Sequence, residues 1–164
     1  MDFKTQNDKI RKYFEQDFSP VNEILKRIRK SLLTGEKLII SDLNLKGIID
    51  FKPSQTLVYI TLFQKGQKFI RYGSKRNTLE ETLNRNIEKL KENKKFQNFN
   101  VSDENLCRIM LEYVTSRKQV KLSELNSERF DENRFEIGID GLEFRKDGIS
   151  YYYMPTDAIT YSHM

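Results

Sequence analysis

The chain has one cysteine, one histidine, no tryptophan, three prolines and seven glycines in 164 residues. A lone cysteine, Cys107, excludes an internal disulfide and any cysteine-rich zinc or iron–sulfur cage. The one histidine, His163, stands next to the last residue. That sets aside histidine-based metal sites, Ser-His-Asp triads and Cys-His pairs. No apolar run approaches the roughly 20 residues of a membrane span, and no hydrophobic signal segment follows Met1. Neither of the glycine-rich phosphate loops, G-x-x-x-x-G-K-S/T or G-x-G-x-x-G, occurs. The expectation is a soluble cytoplasmic protein with no metal, no cofactor and no membrane partner.

What the chain does hold is aromatic bulk and unevenly spread charge. Eleven Phe and eight Tyr supply core material. Lys and Arg number 29 against 24 Asp and Glu, a net +5. Residues 1–64 carry 11 basic and 8 acidic groups, residues 65–95 carry 10 and 4, and residues 96–164 carry 8 and 12. The positive excess therefore sits in a central stretch, followed by an acidic C-terminal part. Such asymmetry points to an anionic partner or to self-association, and is silent on fold.

Residues 1–18 read as a polar arm with a weak helical stripe of Ile10, Tyr13 and Phe14. Ser19-Pro20 then marks a helix start, a serine cap followed by a proline whose missing N–H costs nothing there. Val21, Ile24, Leu25, Ile28 and Leu32 recur at helical spacing, and Thr34-Gly35 closes the element. The other face, Lys26, Arg27, Arg29 and Lys30, reads as solvated. Lys37–Ser41 is a short buried-strand candidate. Leu57–Phe63 and Lys68–Tyr72 flank Lys65-Gly66 and form a β-hairpin. Thr78-Leu-Glu-Glu81 is a capping box that opens a helix through Leu79, Leu83, Ile87 and Leu90 to about Lys95. Leu106–Val114 alternates, with Cys107, Ile109, Leu111 and Tyr113 on one face and Arg108, Met110 and Glu112 on the other. Residues 118–132 read as a polar loop, and Phe135, Ile137 and Ile139 as one more alternating strand. Leu142–Arg145 and Ile149–Tyr153 flank an Asp147-Gly148 turn, and Pro155 stops the last strand. The order α–β–β–β–α–β–β–β–β predicts one α+β domain over residues 19–164, an antiparallel or mixed sheet with two main helices packed on it.

Few residues carry chemistry. Cys107 falls on an apolar strand face and reads as a buried thiol, with Arg108 pointing away from it. The pairs Asp103-Glu104 and Asp131-Glu132 lack ligand spacing. Asp42-Leu-Asn-Leu-Lys-Gly47 shares only its acid and its glycine with the Asp-x-Ser-x-x-Gly segment of PilZ domains. Asn44 stands for the serine and no Arg-x-x-x-Arg precedes it, so it reads as a glycine turn. The strongest candidate is KFIRYGSKR (68–76), where Lys68, Arg71, Lys75 and Arg76 interleave with Phe69 and Tyr72. On a regular strand Lys68, Ile70 and Tyr72 face one way and Phe69 and Arg71 the other. The loop that follows feeds the N-terminus of the helix near Leu79. Basic side chains, a glycine and helix N–H groups together suggest an anion site, which Arg85 and Lys89 extend along the helix. Plain solvated surface is the competing reading.

Four stretches carry a family resemblance: LVYITLFQKGQKFIRYGS (57–74), NTLEETLNRNIEKLKENKKF (77–96), LCRIMLEYVTSRKQV (106–120) and RFEIGIDGLEFRKDGISYYYMP (134–155). In this order, after a helix ending near Gly35, they resemble the AMMECR family, the domain of the Alport syndrome, mental retardation, midface hypoplasia and elliptocytosis chromosomal region protein. The first is similar to its V-x-V-T-L strand, charged turn and Arg-Gly-Cys-Ile-Gly strand, and the second to its helix ending in Arg-Phe or Lys-Phe. The third resembles its Ile-x-Val-Ser-Val-Leu strand. The fourth resembles its Ile-x-x-Gly-x-x-Gly-Leu segment, glycine turn and Leu-Leu-Pro ending. The likeness spans about residues 20–160 and implies a single α+β domain. Two departures matter. Phe69-Ile70-Arg71-Tyr72-Gly73 stands in place of Arg-Gly-Cys-Ile-Gly, so only Gly73 matches and Arg71 holds the cysteine's place. The family also continues past its proline with helical sequence, so this chain is expected to be a fragment or a module lacking C-terminal elements. In prokaryotes the family occurs with Memo-type and radical-SAM proteins, which implies a setting near RNA-modification-like processes and no specific reaction.

The functional expectation is an accessory or binding domain whose basic surface, Lys68, Arg71, Lys75, Arg76, Arg85 and Lys89, engages nucleic acid or another polyanion. Two alternatives stand beside it. One is an enzyme of unknown reaction with its site in a cleft of the sheet. The other is a protein-interaction module with Tyr151–Tyr153 in its interface.

Overall fold

A computed structural model describes residues 19–49, 51–103, 106–114, 116, 117, 119, 141–155 and 157. The arm at 1–18, most of the 118–132 loop, the 135–139 strand and His163 lie outside the described residues. Helix α1, Ser19–Thr34, buries Ile24, Ile28, Ser31 and Leu32, the stripe that its spacing dictates. It closes where the Gly35 N–H donates to the Ser31 carbonyl at 3.0 Å. Strand β1, Val58–Gln64, is rich in branched and aromatic residues and is buried almost throughout. Such a strand needs neighbours on both edges, and it has them. Strands β2, Gln67–Ser74, and β3, Cys107–Tyr113, flank it in the order β2–β1–β3, both antiparallel to it.

Helix α2, Leu79–Glu92, begins with the capping box read from the sequence. The Glu81 N–H donates to Thr78 Oγ1 at 3.1 Å, and the Thr78 N–H to Glu81 Oε2 at 3.3 Å. Its buried face is Leu79, Thr82, Leu83, Asn86, Ile87 and Leu90. Thr82 and Asn86 are the polar members of that face. For Asn86 two bonds reach the sheet. Its Nδ2 donates to the Val58 carbonyl at 2.9 Å and its Oδ1 accepts from Ser74 Oγ at 2.6 Å, which ties the helix to β1 and β2. The helix stops at Glu92, short of Lys95, because Asn93 turns extended and caps a 3-10 turn, Lys94–Asn98. That turn brings Phe99 to stack on Phe69 of β2, with centroids 5.2 Å apart.

Residues 37–41 are not a strand. Leu38 and Ile40 are buried as expected, but their backbone pairs with side chains of α2 rather than with a sheet. The Leu38 N–H donates to Asn84 Oδ1 at 2.9 Å, Asn84 Nδ2 donates to the Leu38 carbonyl at 2.8 Å, and the Ile40 N–H donates to Glu80 Oε2 at 2.8 Å. An apolar pattern reports burial, and here two polar side chains satisfy the backbone that a neighbouring strand would otherwise serve.

Strands β4, Leu142–Lys146, and β5, Ile149–Tyr153, form a separate two-stranded antiparallel sheet. Both hairpins among the described residues turn on X-Gly pairs with positive φ at the two positions, 52° and 78° at Lys65-Gly66 and 51° and 74° at Asp147-Gly148. This is the mirror-image turn whose twist matches the strands, and the second position is glycine in both. The architecture is α+β, as expected, and among the described residues the strands form two antiparallel sheets. Both helices lie on one side of the larger sheet, over Val58, Ile60, Leu62, Ile70 and Cys107. The opposite side carries Tyr59, Thr61, Arg71 and Glu112, and there the β4–β5 hairpin attaches. Among the described residues, no helix is long and apolar enough to cross a membrane.

Candidate functional site

The local irregularity of β2 decides what the basic segment can do. Its register against β1 shifts between Leu62 and Phe63, where Leu62 pairs with Ile70 and Phe63 with Lys68, so Phe69 is an extra, bulged residue. A bulge resets the alternation of side chains. Phe69, Ile70 and Tyr72 accordingly all pack towards the helix-side core, while Lys68 and Arg71 reach the same partner on the open face. A regular strand would have sent those two to opposite faces.

Their shared partner is Asp157, only 2% exposed. Arg71 Nη1 donates to Asp157 Oδ2 at 2.8 Å, Arg71 Nη2 to Oδ1 at 3.3 Å, and Lys68 Nζ to Oδ1 at 2.6 Å. The Met154 N–H adds a fourth bond, to Oδ2 at 2.9 Å. Arg71 Nε donates to the buried Thr61 Oγ1 at 2.8 Å, and that hydroxyl donates to Glu112 Oε2 at 3.1 Å. Glu112 also lies 3.4 Å from Arg71 Nη2. Among the described residues the network thus holds two cations and two carboxylates. Burial alone pushes the Asp157 carboxyl up, but hydrogen bonds from Arg71, Lys68 and the Met154 N–H together hold it below the usual carboxylate range.

The six candidate residues are not brought together. Lys68 and Arg71 belong to the open-face network. Arg85 pairs with Glu88 at 2.6 Å, and Lys89 pairs with Glu92, both one turn along α2. Lys75 and Arg76 follow β2 in exposed positions, with the Arg76 carbonyl accepting from the Ser54 N–H at 2.8 Å. The α2 N-terminus, expected to contribute free N–H groups, is occupied by its own capping box, and Glu80 and Glu81 stand in its first turn. Asp42 makes a two-pronged pair with Arg27, at 2.6 and 2.9 Å, so the glycine-turn segment is a structural loop. Cys107 is buried, and that burial pushes its thiol up against the opposing pull of Arg29. An open groove of about 450 Å³ between the end of α1 and α2 is lined by Lys37, Asn84, Glu88 and Lys91, a mixed-charge surface. Among the described residues, no group of three or more His, Cys, Asp or Glu could hold a metal ion.

Sequence reasoning missed Asp157, Thr61 and the role of Glu112. Glu112 was legible as a group on the face opposite Cys107. Asp157 gave no signal, because its partners lie 86 and 89 residues earlier in the chain.

Beside this network the ring of Tyr59 lies over Gly73, its register partner, and meets Tyr152 of the hairpin with centroids 6.1 Å apart. Burial, reinforced by Tyr152, pushes the Tyr59 phenol from 10.0 to about 12. A raised pKa favours the folded state while the phenol is neutral, and that preference is lost as pH rises from the unfolded value through the folded one. Stability is therefore expected to fall by on the order of 2 kcal/mol between pH 10 and 12. Denaturant titrations across that range are expected to show a flatter alkaline limb for Tyr59→Phe than for the wild type; superimposable limbs would contradict this assignment. No family model, curated protein or solved structure matches this chain.

Proposed function

We propose that this domain binds an anionic polymer, nucleic acid in the first place, through the cations that its own carboxylates leave over in residues 65–95. The observation that carries the reading is the disposition of that segment's charges. Its acids are all committed: Glu80 to the Ile40 N–H, Glu81 to the cap, Glu88 to Arg85 and Glu92 to Lys89. Lys68 and Arg71 are engaged by Asp157 and Glu112. Lys65, Lys75, Arg76, Lys91, Lys94 and Lys95 remain, all exposed and with no ion pair among the described residues. Six such cations outnumber the two carboxylates, Glu80 and Glu81, that pair with backbone N–H groups alone, and together they form an electrostatic footprint for phosphates. The AMMECR likeness, which we propose as a kinship of fold, adds the setting and no reaction.

Phosphate contacts of this kind release counterions, so affinity falls with salt. Binding of a fluorescent single-stranded RNA is expected at low ionic strength, with a log–log salt slope approaching about −4 if all the cations engage. Absence of binding to any polyanion at low salt would remove the proposal.

A second reading has one observation of its own. Tyr151, Tyr152 and Tyr153 are all exposed on β5, at 57%, 43% and 37%, together with Phe144 on β4. Tyrosine-rich surface of this kind suits a protein interface. Light scattering of the isolated chain and of Tyr151→Ser separates self-association through this strand from a monomer.

A further inference from the structure

Arg71 and Lys68 converge on a single point above the open face of the sheet, with Thr61 behind them accepting from Arg71 Nε. A two-pronged guanidinium, an ammonium and a hydroxyl-braced Nε make the arrangement by which proteins hold a carboxylate or a phosphate. The group found there does not come from the sheet. It is Asp157, at the helical start that follows β5, where its carboxylate also accepts from the Met154 N–H, and the two-stranded hairpin leads into it. Two strands alone are marginal in water. Among the described residues the hairpin is also held by the Tyr152 ring against Tyr59, by an ion pair of Glu143 with Arg117 at 3.7 Å and by the buried Met154 that follows β5. Its outer side is open, with Phe144, Ile149 and Tyr151 exposed. The pocket also has an approach from solvent, because Lys68 keeps 37% of its side chain exposed.

We propose that Lys68 and Arg71, the latter held in place by Thr61, form a receptor for an anionic group, a phosphate or a carboxylate, and that Asp157 fills it in cis until a ligand displaces the β4–β5 arm. Glu112 stays behind as the second carboxylate on Arg71 and orients its fork through Thr61. The proposal deepens the anionic-partner reading and rests on it for the class of ligand. It also divides the basic residues by role: the six exposed cations attract the partner, and the covered pair grips it after the arm has moved. An occupied pocket lowers apparent affinity by the fraction of molecules in which it is open.

The test uses the whole chain and inorganic tripolyphosphate at low ionic strength. Saturating tripolyphosphate is expected to speed amide hydrogen exchange across residues 142–153 by about tenfold, with exchange in β1 unchanged. Asp157→Asn is expected to bind tripolyphosphate about tenfold more tightly than the wild type, and Asp157→Asn with Arg71→Met to lose that gain. Hairpin exchange that stays unchanged at saturation overturns the proposal, and this readout needs no variant to fold. RNA binding with an unmoved hairpin leaves the six-cation reading standing and sinks this one alone. Failure of both RNA and tripolyphosphate to bind sinks both.

Discussion

Replacing Gly73 with alanine is expected to destabilise the fold by on the order of 3 kcal/mol, although the substitution adds one methyl group. In most strands the same change is neutral or stabilising, because alanine restricts the unfolded chain. At Gly73 the new Cβ would stand 2.2 Å from Tyr59 Cδ1 and 2.3 Å from Cε1. No carbon pair tolerates that distance, so the ring must leave. Tyr59 is buried, faces Gly73 across the β1–β2 ladder and supports Tyr152, so moving it uncovers the glycine backbone and loosens the hairpin. The melting temperature is expected to fall by roughly 6–12 °C. A double-mutant cycle localises the effect: in a Tyr59→Ala background, Gly73→Ala should cost less than about 0.5 kcal/mol. A loss below 0.5 kcal/mol in the wild-type background would show that the ring does not hold this place.

The same glycine illustrates what can be read from sequence. Both hairpins, both helices and the capping box were legible because each depends on a handful of neighbouring residues: Lys65-Gly66, Asp147-Gly148, the stripe from Ile24 to Leu32, and Thr78 with Glu81. The two faces of β3 followed from simple alternation, with Cys107 inward and Glu112 outward. What stayed illegible depends on partners distant in the chain. The apolar Leu38 and Ile40 look like a strand until Asn84 and Glu80 are seen to satisfy their backbone. Lys68 and Arg71 look like opposite faces until the bulge at Phe69 puts them together. They look like free cations until Asp157 arrives from the far end of the fold. Net charge located the basic segment and could not divide it into paired and unpaired groups, a division only the geometry supplies.

That division sets the largest expected effect on binding. Lys75 and Arg76 are adjacent, exposed and free of ion pairs among the described residues, whereas Lys26 and Lys30 on α1 lie near Glu23 and Glu36 at 4.0 and 3.0 Å. Reversing either pair to glutamate changes net charge by the same amount. Were attraction a matter of net charge, the two variants would weaken RNA binding equally. If instead the β2–α2 surface touches phosphate, losing two contacts costs about 60-fold at 50 mM salt and lowers the magnitude of the salt slope by about 1.4. The α1 variant loses only long-range attraction, which salt screens beyond about 10 Å.

The most direct measurement is therefore the dissociation constant of one single-stranded RNA, titrated over salt, for the wild type, K75E/R76E and K26E/K30E. The expected result is a steep wild-type slope, a slope shallower by about 1.4 with a loss on the order of 10²-fold at 50 mM salt for K75E/R76E, and a loss below about fivefold for K26E/K30E. Equal losses in the two variants, or no RNA binding by the wild type at low ionic strength, would contradict the account.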